Sequence, residues 1–540
     1  MAAAVGLTRS QLGTLQPALF LMSLRNQRCL CNKPPAQDAT HNRPNSFTTH
    51  GKPGPVPGNR LKVFNWLSQY GPKFIIQGEQ VQVFTEPTQF YEVLKLKARK
   101  AKKRITFASL YLGSGDLEKD LVSCVREACL AAVVSGNSDF QVNILLDFTR
   151  GSRGTVNSRS MLRPLVAEFR NVNVSLFHTP DLQGLLKKII PDRFNETIGL
   201  THVKVYLFDN SFIISGANLS ADYFTNRQDR YILFNNCSQL ADFFHDFVKA
   251  IMSFSLSLAP DNSLRLAPDW SIHPYKDSSL KFKLAAREKI ESCLRVGETF
   301  HSTKPSVGLQ KTESDGKSYT EEPVSSSQAG DTVVYPLVQM GPFGVTLDEQ
   351  MLLSLLRASD AHDHILLASG YFNLTDHYMS VILNQSLARF SILMASPQAN
   401  GFLGAKGVAG AIPYSYIYLA HKFLKHVQRT HQNQRIHLME YVRDSWTFHG
   451  KGLWYYLPNQ HLPTLTLVGS PNFGYRSVYR DLECQVAMVT ENKGLQEQLR
   501  EEHVRLFSSS QPVTEQTFHR RDRYVPIWVR VVTSFIKKFF

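Results

Sequence analysis

Two short stretches, His202-Val203-Lys204 and His449-Gly450-Lys451, carry the same pattern and decide how this chain folds. The first is followed by Asp209 and by Ser215-Gly216-Ala217-Asn218, and the second by Gly469-Ser470-Pro471-Asn472. One residue separates each histidine from its lysine, so on an extended strand both side chains project from the same face. An ammonium group attracts a phosphate, and an imidazole attacks phosphorus or carries a proton. Two such pairs predict a site for phosphodiester transfer.

The repeat extends well beyond these motifs. Asp229 follows Asn218 by eleven residues, and Glu483 follows Asn472 by the same interval. The strand-like stretches 105–111 and 144–146 also recur upstream of the second motif, at 365–371 and 392–394. Each half therefore runs strand, helical region, strand, helical region, motif. The two histidines lie 247 residues apart, so the repeated unit is a whole domain.

The composition is that of a globular protein with an anionic partner. The 540 residues are 43% apolar and 19% charged, which suffices for two domains with substantial cores. Sixty Lys and Arg against 45 Asp and Glu favour nucleic acid, an anionic membrane surface or a phosphorylated substrate. No basic run is interleaved with aromatic residues, so nucleic acid is not expected. The seven cysteines are scattered, which predicts reduced thiols and no zinc site.

The N-terminal segment has the composition of a mitochondrial transit peptide. Residues 1–37 contain no Asp or Glu, and basic residues stand among Ala, Leu, Ser and Gln. A secretory signal is the alternative, because residues 15–24 are mostly apolar, although Gln16 and Pro17 interrupt that run. No run approaches the ~18 to 20 apolar residues that spanning a bilayer requires. Contact with a membrane would therefore be peripheral.

Shifts in composition divide the rest of the chain. Two stretches rich in small and polar residues, with few large apolar ones, separate segments of globular composition. The predicted segments are a transit peptide at 1–37, a disordered tether at 38–59, a first half at 60–302, a flexible linker at 303–332 and a second half at 333–540.

The C-terminal segment reads as an amphipathic basic helix. Its apolar residues recur at helical spacing and face away from most of its Arg, Lys, Ser and Thr residues. They are Ile527, Trp528, Val531, Val532, Phe535, Ile536 and Phe539. Such a helix suits the headgroup boundary of an anionic membrane. Docking on its own domain is an equally good interpretation.

A glycine-containing turn in the first half is a candidate nucleotide site. Backbone amides in such a turn surround a phosphate, which would suit a nucleotide such as ATP. The equivalent stretch 372–375 lacks the glycines, and a simple turn at a strand end is the alternative. The candidate residues are Ala108, Ser109, Leu110, Tyr111, Leu112, Gly113, Ser114 and Gly115.

The paired motifs resemble those of the phospholipase D superfamily, whose signature is H-x-K-x4-D followed by G-x-N. The first copy matches in full. The stretches 195–202, 208–211, 217–220, 225–231 and 470–477 resemble the mitochondrial branch that uses CDP-diacylglycerol and sn-glycerol 3-phosphate. The resemblance covers about residues 60 to 540. It implies an α/β fold of two tandem α-β-α sandwich halves, related by pseudo-twofold symmetry, with one active site at their interface.

The resemblance also implies a reaction. The phosphatidyl group would pass from CDP-diacylglycerol to sn-glycerol 3-phosphate at the mitochondrial inner membrane, as the first committed step toward phosphatidylglycerol and cardiolipin. His202 would attack phosphorus and form a phosphohistidine, and His449 would protonate the departing CMP and then deprotonate the acceptor. Lysines and asparagines would hold the phosphate oxygens, carboxylates would orient the imidazoles, and no metal is required. The candidate residues are His202, Lys204, Asp209, Asn218, Asp229, His449, Lys451, Asn472 and Glu483.

One departure from the family pattern leaves alternatives open. Tyr456 stands where the second copy should have Asp, and residues 457–464 look like an insertion. The two histidines are therefore not expected to be equivalent, and Asp209 is expected to support its motif structurally. The alternatives are a hydrolase that uses water, a transferase with another alcohol acceptor, and a non-catalytic membrane-binding module. The sequence does not indicate the oligomeric state.

Overall fold

The computed structural model describes residues 60–190, 195–299, 330–404 and 410–539. The predicted transit peptide, the tether and most of the linker at 303–332 lie outside the described residues. No helix within the described ranges is long and apolar enough to cross a membrane.

The first half is built on a nine-stranded sheet. Its strands follow the order β11-β10-β5-β4-β3-β6-β7-β9-β2, with β3, β4 and β5 parallel. The parallel strands are apolar runs buried on both faces, as sheets covered by helices require. The strands are β2 Val81–Phe84, β3 Arg104–Ala108, β4 Gln141–Asp147, β5 Val172–Phe177, β6 Val205–Phe208, β7 Ser211–Ser215, β9 Tyr231–Phe234, β10 Leu256–Leu258 and β11 Leu264–Leu266.

The second half repeats this topology. Its sheet runs β1-β12-β20-β19-β18-β14-β15-β16-β21, and β13 pairs with β12. Strands β12, β14, β15, β16, β18, β19 and β20 take the places of β2, β3, β4, β5, β6, β7 and β9. They are β1 Phe74–Ile76, β12 Thr332–Met340, β13 Val345–Thr346, β14 His364–Ser369, β15 Arg389–Ala395, β16 Ile436–Tyr441, β18 Lys451–Tyr456, β19 Leu465–Gly469, β20 Leu482–Thr490 and β21 Ser510–Pro512.

Helices cover both faces of each sheet, so the layers run helix, sheet, helix, sheet, helix. Helices Ser238–Ser253 and Lys493–Ser508 follow equivalent strands and pack into the central core, which contains buried residues of both sheets. Two further cores lie under the outer helices. These helices are Pro87–Lys100, Asp116–Val134 and Ser158–Glu168 in the first half, and Leu347–Ala358, Asp376–Asn384 and Ile412–Arg429 in the second. The predicted α/β duplication is confirmed.

Shorter helices and one long helix complete the described chain. Helix Ser279–Thr299 contributes Phe282, Ala286, Ile290 and Leu294 to the central core. Other α-helices of the described residues are Arg60–Val63, Phe148–Gly151, Gly184–Ile189, Ala221–Thr225, Tyr475–Tyr479, Glu515–Phe518 and Ile527–Ile536.

The segment at residues 60–76 belongs to the second sheet, although composition groups it with the first half. Strand β1 pairs antiparallel with β12, with Phe74 opposite Val334. Phe64 and Leu67 are buried in the outer core of the second half. Pairing with β1 covers what would otherwise be the open edge of β12. This N-terminal segment therefore links the first half to the sheet of the second half.

The halves also join through a short parallel ladder beside the site. Strand β8, Arg227–Gln228, pairs with β17, Thr447–Phe448. A bridge between Thr201 and Leu482 forms the matching contact on the other side. Both contacts place the start of one half's motif against the carboxylate-bearing segment of the other half.

The C-terminal helix combines the two interpretations that its sequence allows. Val529 is buried against Ile417 of helix Ile412–Arg429, and Thr533 Oγ1 donates to Ser415 Oγ at 2.8 Å. The next ridge of the helix is left uncovered: Ile527, Val531 and Phe535 are 69%, 51% and 49% exposed. The helix therefore docks on the fold and still presents an apolar ridge.

Candidate active site

Both histidine–lysine pairs lie where a central strand begins. The sequence predicted that each histidine lies on the same strand as its lysine. In the structure β6 starts at Val205 and β18 at Lys451, so each histidine precedes its strand. Lys204 Nζ donates to the carbonyl oxygen of His202 at 2.8 Å, and Lys451 Nζ to that of His449 at 2.9 Å. All four side chains are buried. The side chain of each lysine thus turns back toward the main chain of its own histidine.

The carboxylates that hold the imidazoles are exchanged between the halves. His202 Nδ1 lies 2.9 Å from Glu483 Oε2, and His449 Nδ1 lies 2.6 Å from Asp229 Oδ2. The equal spacing in sequence predicts that these carboxylates orient the rings. It does not predict that each one serves the histidine of the other half. Each imidazole is therefore held in place only when both halves are docked.

Backbone hydrogen bonds repeat the same exchange. The amide of His202 donates to the carbonyl of Leu482 at 2.7 Å, and that of His449 to the carbonyl of Gln228 at 2.7 Å. Since Leu482 and Gln228 directly precede Glu483 and Asp229, each histidine is fixed twice by one short segment. The carboxylate on Nδ1 leaves Nε2 as the ring nitrogen that faces the reacting group.

The four motif residues share one cleft. A Cβ atom added to Gly216, in the first half, would lie 2.9 Å from Lys451 Nζ and 2.6 Å from Asp229 Oδ1. The absence of a side chain at Gly216 therefore permits the close approach of the second motif. The charge of Lys451 also acts on His202, and that of Lys204 on His449. The two pairs thus meet within one electrostatic site.

Burial sets the protonation of this cleft. It lowers the pKa of His202 and of His449 well below 6.5, and the neighbouring lysines lower both further. Burial also raises the pKa of Asp229 and Glu483. The imidazoles are consequently neutral at physiological pH, and the carboxylate beside Nδ1 favours the tautomer with the proton on that nitrogen. Burial lowers the pKa of Lys204 to about 7, so bound phosphate would restore its full charge.

The two asparagines lie next to the motifs with acceptor atoms unused. Within the described residues, the side-chain oxygens of Asn218 and Asn472 are buried and have no hydrogen-bond partner. Asn218 Nδ2 donates to the hydroxyl of Tyr223 at 3.1 Å, and the backbone amide of Asn472 donates to Ser477 Oγ at 3.0 Å. Buried, unsatisfied polar atoms are costly, and they are common where a ligand binds.

Tyr223 is a site residue that the sequence analysis missed. Its hydroxyl lies 3.4 Å from His449 Nε2, and its ring stands edge-on to the imidazole at 5.1 Å. The guanidinium of Arg227 lies 4.8 Å above the same ring. Tyr371 approaches His449 edge-on at 5.6 Å from another side. Aligning the two halves does not flag Tyr223, because its counterpart in the second half is Ser477.

The fifth residue beyond each motif lysine lies away from the cleft. Asp209, at the β6–β7 turn, has φ +54° and accepts the amides of residues 102–104 at 2.7 to 3.1 Å. Its counterpart Tyr456 ends β18, and the loop 457–464 is the expected insertion. Asp209, one of the candidate site residues, was expected to support its motif structurally, and its contacts with these amides are of that kind. The substitution at Tyr456 therefore gives no reason to regard the second site as inactive.

The glycine turn at 108–115 faces a carboxylate. A Cβ at Gly113 or Gly115 would lie 2.3 or 2.7 Å from the carboxylate oxygens of Glu118. Glu118 also accepts the amide of Ala221 at 2.6 Å. This negative charge disfavours a phosphate at the same place, and nucleotide binding by the turn stays a prediction. Among the described residues no cluster of three His, Cys, Asp or Glu residues is suited to hold a metal ion.

Similar proteins identify the family. No protein-family model matches the chain. The mitochondrial CDP-diacylglycerol–glycerol-3-phosphate 3-phosphatidyltransferase of Gallus gallus is 48% identical over 490 residues, covering 88% of this chain and 86% of its own. That of Homo sapiens is 47% identical over 484 residues, with the same coverage. A crystal structure of phosphatidylserine synthase from Haemophilus influenzae has the same fold, with a TM-score of 0.63 at 18% identity, covering 88% of this chain and all of its own. The chain belongs to the CDP-diacylglycerol–glycerol-3-phosphate 3-phosphatidyltransferase family.

Proposed function

We propose that this enzyme transfers the phosphatidyl group of CDP-diacylglycerol to sn-glycerol 3-phosphate, giving phosphatidylglycerophosphate and CMP. The relatives carry the name of this reaction at 47 to 48% identity. The observation that carries the proposal for this chain is the pair of imidazoles, each fixed through Nδ1 by a carboxylate of the other half. Such a site suits a reaction in two steps at one phosphorus.

His202 is the proposed nucleophile. Within the described part of the chain, no hydrogen bond reaches His202 Nε2, whereas His449 Nε2 contacts Tyr223 and Lys451 at 3.4 and 3.1 Å. A neutral Nε2 carries the lone pair that attack requires. The new P–N bond forms as the bond between phosphorus and the CMP oxygen breaks. The phosphatidyl group is then held on His202.

The departure of CMP does not need a strong acid. The second pKa of a phosphate monoester is about 6, so CMP leaves with its electron pair as a stable anion near neutral pH. Since burial and Lys451 keep His449 neutral, protonation of CMP by His449, which the resemblance implies, is not required. The neutral ring is instead suited to the second step.

In that second step His449 acts as the base. Its Nε2 takes the proton from the 1-hydroxyl of sn-glycerol 3-phosphate while that oxygen attacks phosphorus. The P–N bond breaks, and its electron pair returns to His202. Asp229 stabilises the imidazolium that forms on His449, as a carboxylate does in a catalytic triad. Each cycle ends with His202 free and one proton to be released from His449.

Lys204, Lys451, Asn218 and Asn472 are proposed to hold the non-bridging phosphate oxygens. Two ammonium groups and the side-chain Nδ2 donors of the two asparagines supply charge and hydrogen bonds where negative charge develops in the transition state. These groups can perform the function of a divalent ion, so the proposal requires no metal or other cofactor for the chemistry. The product would be the precursor of phosphatidylglycerol and cardiolipin.

The identity of the acceptor tests this function. Purified protein is incubated with CDP-diacylglycerol and sn-glycerol 3-phosphate, serine, phosphatidylglycerol or water, and the lipid products are separated. Phosphatidylglycerophosphate from the first mixture supports the proposal. Phosphatidic acid as the main product in every mixture would indicate a hydrolase, and phosphatidylserine or cardiolipin another transferase. No product from any mixture would indicate a membrane-binding module.

We also propose that the enzyme works in mitochondria, at the surface of an anionic membrane such as the inner membrane. The relatives are named mitochondrial. The apolar ridge of Ile527, Val531 and Phe535 is exposed, and Arg530 and Lys538 lie exposed beside it. Aromatic and aliphatic residues flanked by cations suit a headgroup boundary.

The ridge lies close to the cleft, which strengthens this proposal. The carbonyl of Lys537 accepts from Asn373 Nδ2 at 2.9 Å, and Ser415, which pairs with Thr533, precedes Tyr416. Tyr416 stacks on Tyr371 at 5.4 Å, next to His449. A lipid donor would therefore pass from the membrane to the histidines over a short path.

Sedimentation with vesicles tests the membrane contact. Replacing Ile527, Val531 and Phe535 by Ser should release the protein from phosphatidylcholine vesicles that contain phosphatidylglycerol. The matched control replaces Val133 and Val134, which are exposed on helix Asp116–Val134 of the first half. Equal binding of both variants would contradict the assignment of the ridge.

A further inference from the structure

A cluster of three arginines stands beside the reaction centre, apart from the two lysines. Arg150 Nη1 lies 3.5 Å from Glu196 Oε1, and Arg153 forms an ion pair with the same oxygen. The side chain of Glu196 is only 21% exposed. One carboxylate thus holds two guanidiniums close together and leaves their combined charge positive.

Arg476, from the second half, completes the cluster. It pairs with Asp481 at 3.2 Å. Burial lowers the pKa of Arg476, but the charges of Asp481 and Glu196 raise it more, so the pKa lies above its ordinary value. Its charge also acts on His202. The Nε atom of Arg476 is buried and has no hydrogen-bond partner among the described residues. A buried guanidinium donor without a partner, next to other cations, indicates an anionic ligand.

The cluster is attached to the nucleophile's own segment. Asp147 Oδ1 caps the short helix Phe148–Gly151 by accepting the amides of Thr149 and Arg150 at 2.9 and 3.0 Å. Its other oxygen accepts the amide of Thr201, directly before His202, at 3.2 Å. The loop that carries Arg150 is therefore fixed relative to the reacting ring.

Among the described residues, the second half has no arginines at the positions equivalent to Arg150 and Arg153. The strand registers place Ala395 opposite Asp147 in the repeat, so Gln398 and Gly401 take the positions of Arg150 and Arg153. The pseudo-symmetry that places the two histidines does not require these arginines. The two substrates of the reaction differ, so a feature that is present in only one half suits a role with only one of them.

We propose that Arg150, Arg153 and Arg476 bind the phosphate group of sn-glycerol 3-phosphate. This inference rests on the proposed function. The two donor phosphates adjoin each other, so they lie at or next to the lysines and histidines. The acceptor phosphate is separated from the attacking hydroxyl by three carbons, so it must bind to the side of the reacting phosphorus. A dianion needs more than one guanidinium, and ion pairs with Glu196 and Asp481 hold these three guanidiniums in place.

This subsite gives the enzyme its preference for a phosphorylated acceptor. Glycerol and serine carry no phosphate dianion, so they cannot form the charged hydrogen bonds to these guanidiniums. Glu196 acts as a positioning residue, since it keeps the two guanidiniums of the first half aligned before the acceptor arrives.

Steady-state kinetics with Arg150→Gln and Arg153→Gln test the proposal. Each variant should reduce kcat/KM for sn-glycerol 3-phosphate by about 10- to 100-fold, since a hydrogen-bonded charge contributes about that much to binding. The KM for CDP-diacylglycerol and the slow reaction with glycerol should change by less than about threefold. Arg126→Gln, which breaks an exposed pair with Glu168 on the outer face of the same half, is the matched control.

Calorimetry without the donor separates this proposal from the proposed function. The wild type should bind sn-glycerol 3-phosphate, and inorganic phosphate more weakly, and both variants should lose this binding while melting at the wild-type temperature. Such a result supports the subsite whatever lipid product is found. Unchanged binding in both variants, or a rise in KM for CDP-diacylglycerol alone, would overturn the proposal. The second result would assign the arginines to the nucleotide phosphate.

Discussion

The two halves of the molecule have the same strand order but carry residues of opposite charge at equivalent positions beside the cleft. Asp222 pairs with Arg227 at 3.0 Å in the first half, and Arg476 pairs with Asp481 at 3.2 Å in the second. The four residues occupy equivalent positions of the repeat, and the signs of the charges are exchanged. Duplication preserved the spacing of the ion pair, and divergence reversed its direction.

This difference gives the histidines different neighbours. Burial lowers the pKa of both, but Asp481 raises the pKa of His202, and Arg227 lowers the pKa of His449 further. A carboxylate near His202 stabilises the positive charge that develops when its ring carries phosphorus. A guanidinium near His449 keeps that ring neutral and ready to accept a proton. Similar motifs are thus prepared for different steps.

Replacing each histidine should have the largest effect and should separate the two roles. The donor is labelled in the phosphate on its diacylglycerol side. The kcat of His202→Ala should be at least about 10⁴-fold lower than that of the wild type, and this variant should trap no labelled protein. His449→Ala should lose transfer to a similar extent but still accumulate labelled protein, because CMP leaves without an acid. Label on the His202→Ala protein would assign the nucleophile to another residue.

Neutralising the exchanged carboxylates should have the next largest effect. Glu483→Gln and Asp229→Asn should each reduce kcat by about 10²- to 10⁴-fold, since the ring loses its orientation and its counter-charge. Glu483→Gln should slow the formation of labelled protein, whereas Asp229→Asn should slow its discharge to the acceptor. Rapid-quench measurement of both steps checks the assignment, and the reverse pattern would exchange the roles of the two histidines.

The dependence of kcat/KM on pH should report the titration of the buried Lys204. The pKa of Lys204 is lowered to about 7, so the free enzyme loses this charge as the pH rises through that value. The kcat/KM for CDP-diacylglycerol should therefore fall about tenfold per pH unit above pH 7. Lys204→Arg, which keeps its charge, should shift the descending limb to higher pH even though its overall activity is lower. A flat profile up to pH 9 in the wild type would contradict this prediction.

Changing the turn at Asp209 should have the smallest effect on catalysis. Asp209→Ala removes the acceptor of three backbone amides and places Ala at a positive φ. Thermal unfolding should show a loss of about 2 kcal/mol, and kcat should remain within about twofold. A large fall in kcat at unchanged stability would return Asp209 to the catalytic residues. Tyr456→Phe is the comparison in the other half.

The sequence predicted much of the site because, after the duplication, many functional positions recur at the same spacing in both halves. The offset from Asn218 to Asp229 matches that from Asn472 to Glu483, so both carboxylates are visible without a structure. Tyr223 was not visible in this way, because its counterpart is a serine. Asp209 belongs to the motif and was expected to have a structural role, and strand β6 carries it to the far end of a hairpin.

The sequence by itself determined the duplicated α/β fold and the residues able to act on a phosphate, since strand periodicity and motif spacing are local properties. Only the tertiary structure decided that His202 is held by Glu483 and His449 by Asp229, and that residues 60–76 extend the second sheet. These contacts join residues more than 200 positions apart. They depend on how two buried sheets pack against each other, which is a property of the whole core and not of any single segment.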